Sequence, residues 1–244
     1  CQKAATSENL FRDIEVNMTS VESAEENQIV KLQMGDGDSA ISQESNLDIE
    51  MTRDPAAVHR KGQQKTNMAG TKETQEMESY QVEEDGKTVI YSGTDEAWEK
   101  NAVEEKETSS QQTVLFGGLQ NLSGAFSVSQ DLATVNKEEC FELTGMISGT
   151  QFQETFADTL KALLGEDSSD LSGWNLQASE DEENNEELQQ KLNNVKVDCV
   201  IDIYRNNILP AKITFDLTDY LKAAGEESAQ VTSYTLEVTF VSYN

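Results

Sequence analysis

From Asn194 to Asn244 apolar and polar residues alternate with a period of two. In Val195, Val197, Cys199, Ile201 and Ile203 every second residue is apolar, with Lys196, Asp198 and Asp202 between them. The pattern resumes at Leu209, Ala211, Ile213, Phe215 and Leu217, and once more at Tyr234, Leu236, Val238 and Phe240. A strand with one dry face and one wet face has this period, so the three runs predict an antiparallel sheet. Matching the apolar rows sets Ile203 opposite Leu209, Ile201 opposite Ala211, Cys199 opposite Ile213, Val197 opposite Phe215 and Lys196 opposite Asp216. An odd loop over Arg205 to Asn207 gives that match, with Asn206 or Asn207 in the left-handed conformation Asn tolerates. Pro210 has no N–H and is expected at a bulge or facing away from the ladder.

Upstream, residues 1–9 are polar and read as a tether. Leu10, Phe11, Ile14, Met18 and Val21 then recur at spacings of three and four, which predicts an amphipathic helix with Ser7 as its N-cap. Glu22 to Asn27 is expected to extend or end that helix, and Ile29 to Met34 to be a first strand or a helix extension, closed by Gly35-Asp36-Gly37-Asp38. Leu47, Ile49 and Met51 alternate as a strand does, and Asp54-Pro55 marks a turn. The polar stretch that follows predicts long hairpin strands, roughly 57–67 and 72–84, hydrated on both faces for part of their length. Asp85-Gly86 is the strongest hairpin turn in the chain and leads into Thr88 to Tyr91.

Glu104 to Gln112 reads as a polar connector. Val114 to Leu122 has helical spacing weakened by Gly117-Gly118, and Phe126 to Val135 pairs with Glu139 to Ile147 about Asn136-Lys137. Phe152, Phe156, Leu160, Leu163 and Leu164 form a second helical stripe ended by Gly165. The acidic run Ser179 to Glu187 is a solvated loop or the exposed face of a short helix reaching Leu188 and Leu192. Tyr220 to Gly225 reads as one or two helical turns.

Charge narrows the partners. The 244 residues carry 18 basic and 46 acidic side chains, a formal net charge of −28. That field repels nucleic acid and anionic membrane surfaces, so no nucleic-acid partner is expected. No run approaches the ~18 uncharged apolar residues a membrane span needs. Cys1 followed by a polar stretch is what remains when a bacterial lipoprotein signal is cut and the thiol carries a diacylglycerol; the other reading is an arbitrary boundary. The expectation is a lipid on Cys1 that anchors the chain to the extracytoplasmic face of a cell membrane. Cys140 and Cys199 fall on buried faces of strand-like segments, either as a disulfide suited to export or as two buried thiols.

The search for chemistry returns little. His59 is the one histidine and lies in a polar strand, where a surface role is expected; it leaves no triad around a serine. There is no Gly-x-Ser-x-Gly elbow, Cys-x-x-Cys pair, His-x-x-x-His pair or phosphate-cradling glycine loop. Asp36-Gly37-Asp38 departs from a calcium loop, because Ala40 and Ile41 stand where a ligand and the glycine belong. No enzyme activity, cofactor or metal is expected.

The order of elements carries a resemblance. The residues that bear it are Tyr80-Gln81-Val82-Glu83-Glu84-Asp85-Gly86-Lys87 with Tyr91 and Trp98-Glu99-Lys100, then Glu139-Cys140-Phe141-Glu142-Leu143. Ile201-Asp202-Ile203-Tyr204 through Leu209-Pro210-Ala211-Lys212-Ile213 completes the set. With Cys1 the chain resembles the LolA-like lipoprotein-carrier superfamily, and within it small exported Gram-positive lipoproteins of unassigned function. The resemblance implies an α+β fold: a curved antiparallel sheet forming an open half-barrel, helices packed on its concave face as a lid, and one domain over residues 10–244. In that superfamily the concavity holds acyl chains.

The resulting expectation is a membrane-anchored lipoprotein that binds a hydrophobic ligand, such as lipid acyl chains, in the half-barrel groove. The groove candidates are Phe116, Leu119, Met146, Phe152, Phe156, Leu160, Trp174 and Phe240. The alternative is a non-enzymatic cell-surface interaction module with an acidic face, in which the apolar helix stripes fill the groove as core.

Overall fold

The structure is a computed structural model and describes residues 5–94, 97–103, 115–164, 182–224 and 230–244. Among these, strands β1 (Ser23–Met34), β2 (Ile41–Thr52), β3 (Ala57–Met68), β4 (Thr71–Glu84), β5 (Lys87–Thr94) and β6 (Ala97–Val103) form an antiparallel meander. β7 (Phe126–Val128), β8 (Ala133–Val135), β9 (Glu138–Ser148), β10 (Lys196–Tyr204), β11 (Pro210–Asp216) and β12 (Val231–Tyr243) form the other half. The order across the sheet is β6-β5-β4-β3-β2-β1-β12-β11-β10-β9-β7, with β8 on β9. Every neighbour pair is antiparallel, and the sheet does not close into a barrel: it is the open half-barrel of an α+β fold. The two halves meet where β1 pairs with β12, Val30 opposite Leu236 and Gln28 opposite Val238.

Among the described residues four α-helices accompany the sheet, α1 (Ser7–Met18), α2 (Gly149–Leu164), α3 (Glu182–Asn194) and α4 (Thr218–Ala224), with 3-10 stretches at Gly37–Ser39 and Leu119–Ala125. The predicted stripe of α1 is buried at Leu10, Phe11, Ile14 and Met18. Its cap is Thr6, whose Oγ1 accepts from the Asn9 N–H at 3.2 Å; Ser7 instead donates to the Ser123 carbonyl at 2.8 Å and pins the helix to the 3-10 stretch. The expected tether is therefore helical from Ser7 onward. Glu22 to Asn27 is neither helix extension nor helix end, because β1 runs from Ser23.

The hairpin of β10 and β11 is shifted from the expected register. Ile201 faces Ile213 and Cys199 faces Phe215, a slide of two residues, while past the irregularity Ile203 faces Pro210, a slide of one. A slide of two leaves each side chain on its expected face. Ala211 is squeezed between the Asp202–Lys212 and Ile203–Pro210 pairs, which puts Pro210 beside a bulge as its missing N–H requires. The left-handed residue of the loop is Ile208 (φ 53°), not an Asn; the Asn207 side chain caps the turn by accepting from the Leu209 N–H at 3.0 Å.

The two other turns come out where expected: Asp85-Gly86 and Asn136-Lys137 both take positive φ. Strands β3 and β4 extend as a hairpin, and from Thr71 to Glu76 β4 is exposed on both faces. Cys140 and Cys199 are free, buried thiols. They cannot bridge, because Cys199 lies opposite Gly145 in the main core while Cys140 faces the other side of the sheet with Val135, Tyr204 and Ala211. No helix of the described residues is long and apolar enough to cross a membrane.

Candidate functional site

The concave face of the sheet carries the alternating positions of the C-terminal strands: Leu143 and Ile147 of β9, Val197 to Ile203 of β10, Ile213 and Phe215 of β11, Leu236 to Phe240 of β12. α1, the segment Leu115–Ala125 and α2 pack into the same core. From α2, Phe152 and Phe156 are one turn apart and both meet Phe215 edge-on, at 5.1 and 4.9 Å between ring centroids. Phe152 also meets Tyr220 of α4 at 5.0 Å. From α1, Phe11 stands edge-on to Phe126 at 5.1 Å.

Phe116 reaches the same place by another route. Its backbone is left-handed (φ 61°), a conformation a bulky side chain adopts only where its surroundings hold it. Its N–H donates to the buried Thr159 hydroxyl of α2 at 2.9 Å, and its ring meets Phe240 of β12 at 5.9 Å. Phe116, Leu119, Phe152, Phe156, Leu160 and Phe240 thus lie in one continuous apolar cluster, each no more than 2 % exposed. Met146 does not join them. It sits out of phase with Ile147, on the convex face opposite Asp198, and is 55 % exposed. Trp174 and Cys1 lie outside the described residues, as do the 104–112 connector, Gly165, Gly225 and the side chains of Leu163 and Leu164.

The N-terminal part of the concave wall is chemically different, and the sequence pattern did not single it out. Ala24, Glu26, Gln28 and Val30 are the buried positions of β1, so two polar side chains point inward. Neither oxygen of Glu26 and neither end of the Gln28 amide has a hydrogen-bond partner. Burial pushes the Glu26 carboxyl up to about 8, against a smaller opposing pull from the charge of Arg60. Arg60 is itself buried in the same cross-strand row, beyond Ile49, and its Nη2 donates to Gln81 Oε1 at 3.3 Å; burial brings its guanidinium down to about 10.

On the convex face, Glu50, His59, Tyr80, Tyr91 and Lys100 stand side by side across β2 to β6. His59 stacks on Tyr80 with 4.2 Å between centroids and an angle of 6°, and its Nε2 lies 2.9 Å from Glu78 Oε1. That contact is the first reason Glu78 titrates below the usual carboxylate range. His59 is therefore half-buried in a polar ladder rather than loose on the surface. Among the described residues no three His, Cys, Asp or Glu side chains converge to hold a metal ion.

The sequence from residue 6 to residue 244 matches the family described as "Family of unknown function (DUF6612)". This chain belongs to the DUF6612 family. No curated protein matches it. Solved structures similar to this DUF6612 chain include the lipoprotein LppX of Mycobacterium tuberculosis, at 14 % identity, over 98 % of this chain and 94 % of that one, with a TM-score of 0.48. LprF of Mycobacterium bovis is similar at 9 % identity, over 97 % and 92 %, with a TM-score of 0.46. A LolA superfamily protein of Nitrosomonas europaea is similar at 8 % identity, over 99 % and 94 %, with a TM-score of 0.26.

Proposed function

We propose that this protein is a non-enzymatic binder of a hydrophobic ligand, of the kind that presents acyl chains, and that the ligand enters beneath α1, α2 and the Leu115–Ala125 segment. One observation supports this reading above the others. Three separate amphipathic segments turn their apolar faces to the concave side of an open sheet, and the candidate side chains Phe116, Leu119, Phe152, Phe156, Leu160 and Phe240 gather there. An acyl chain displacing or parting such segments gains ~0.8 kcal/mol per methylene it buries. The membrane tether expected at Cys1 belongs to the same proposal; labelling with an alkyne-bearing palmitate, lost on Cys1→Ser, is its test.

Native mass spectrometry of the protein purified from membranes tests the ligand. The proposal expects a co-purifying acyl species, lost in Phe156→Trp, whose larger ring occupies the space. A second reading has its own support, since the six candidates pack on one another with edge-on ring contacts and almost no exposure. In that reading the cluster is core, and the acidic surface of an interaction module meets a protein. A ligand-free mass that stays ligand-free after incubation with lipid would decide for it.

A further inference from the structure

Glu26 and Gln28 are next-but-one neighbours on the concave side of β1, 2 % and 1 % exposed. Their cross-strand neighbours are Phe240 and Ile49 for Glu26, and Val238 and Leu47 for Gln28, none of which offers a side-chain hydrogen bond. Buried polar side chains are nearly always partnered, and leaving one dry is among the larger local penalties a fold can carry. Thr150 and Asp202 each leave one atom unpartnered, but among the described residues only here do two neighbouring side chains leave every polar atom so. Phe240, directly opposite Glu26, is the residue against which Phe116 packs. The polar pair therefore adjoins the apolar cluster.

We propose that Glu26 and Gln28 are the head-group site of the groove, and that they receive the uncharged, hydroxyl-bearing head of an amphiphile of the diacylglycerol kind. The proposal rests on the hydrophobic-ligand reading and adds the class of ligand. Donor and acceptor counts choose the head. A glutamine amide presents both a donor and an acceptor, and a carboxyl kept protonated near neutral pH by burial does the same. A hydroxyl complements both, since it donates one hydrogen and accepts others. An ionised phosphate offers acceptors only; it would leave Gln28 Oε1 and the carbonyl oxygen of Glu26 without a donor, and would bring negative charge into a chain of net charge −28. Arg60, in the row of Glu26 beyond Ile49, adds one positive charge and is already engaged with Gln81.

The test uses the full chain, stripped of lipid, with dioleoylglycerol and dioleoylphosphatidic acid as probes competing against a fluorescent fatty-acid analogue. Dioleoylglycerol should bind at least ~10-fold tighter than the phosphatidic acid at pH 7. Gln28→Leu should weaken dioleoylglycerol by ~10-fold or more, yet raise the melting temperature of the ligand-free protein, because a dry amide has been replaced by a methyl pair. Glu26→Gln keeps a neutral donor and acceptor and should retain the preference, within ~3-fold. Equal or tighter binding of phosphatidic acid overturns the head-group assignment. So does unchanged dioleoylglycerol binding in a folded Gln28→Leu protein, which would mean that buried water alone satisfies the pair; in both cases the hydrophobic-ligand reading stands. If neither lipid displaces the probe from the unmodified chain, both proposals fail together.

Discussion

A carboxyl with a raised pKa gives stability an inverted dependence on pH. Glu26 holds its proton up to about 8 when folded and releases it near 4.5 when unfolded. Its contribution is fully present below 4.5 and is lost as pH rises through about 8, because over that window the folded state binds more protons. Asp202, raised to about 6 by burial and then by the neighbouring Glu142, acts in the same direction from 3.8 upward and is spent by pH 7. The urea midpoint should therefore fall between pH 6.5 and pH 8.5, and Glu26→Gln should flatten that fall. A slope unchanged in Glu26→Gln would mean that Glu26 does not titrate in the window. The largest single loss belongs to the core: Phe152→Ala opens a void against Phe215 and Tyr220 and should cost ~3–5 kcal/mol by equilibrium denaturation.

At the level of elements, residue periodicity made some pieces plain and hid others. The stripe Phe152, Phe156, Leu160 gave α2 because every turn returned an apolar residue to one face. β1 was hidden for the opposite reason: its inward positions include Glu26 and Gln28, so Ser23 to Asn27 shows no alternation of polarity although its burial alternates. The β10–β11 register was off by two because apolar matching cannot sense the bulge that Pro210 and Ala211 introduce. Phe116 was a fair candidate, but nothing in its neighbourhood announces the left-handed backbone that aims it. A strand glycine gives a sharper check. A Cβ at Gly62 would lie 1.9 Å from the Asn46 carbonyl oxygen across the β2–β3 ladder, whereas one at Gly124 would meet nothing within 4 Å. Gly62→Ala should cost at least ~1–3 kcal/mol and Gly124→Ala should be near neutral, as read from melting curves of the two variants.

For the whole molecule, the half-barrel was legible through the resemblance that the order of elements carries; the adjacency of consecutive antiparallel strands accounts for the meander from β1 to β6, whereas the β1–β12 junction joins distant segments. What the order could not supply was the contrast along the concave face, apolar beneath α2 and polar at β1. On the proposal made above, that contrast is what would suit the groove to a molecule with a tail and a head. Most of the candidate groove side chains do gather; Met146 misses by one position along its strand, and a shift of one is all it takes to cross a sheet. Occupancy of that concave face by a tail is the central expectation. Fluorescence titration of the lipid-stripped protein with cis-parinaric acid asks this directly: saturable one-to-one binding, abolished in a folded Phe156→Trp variant, is the predicted result, and a flat titration with correctly folded protein would contradict it.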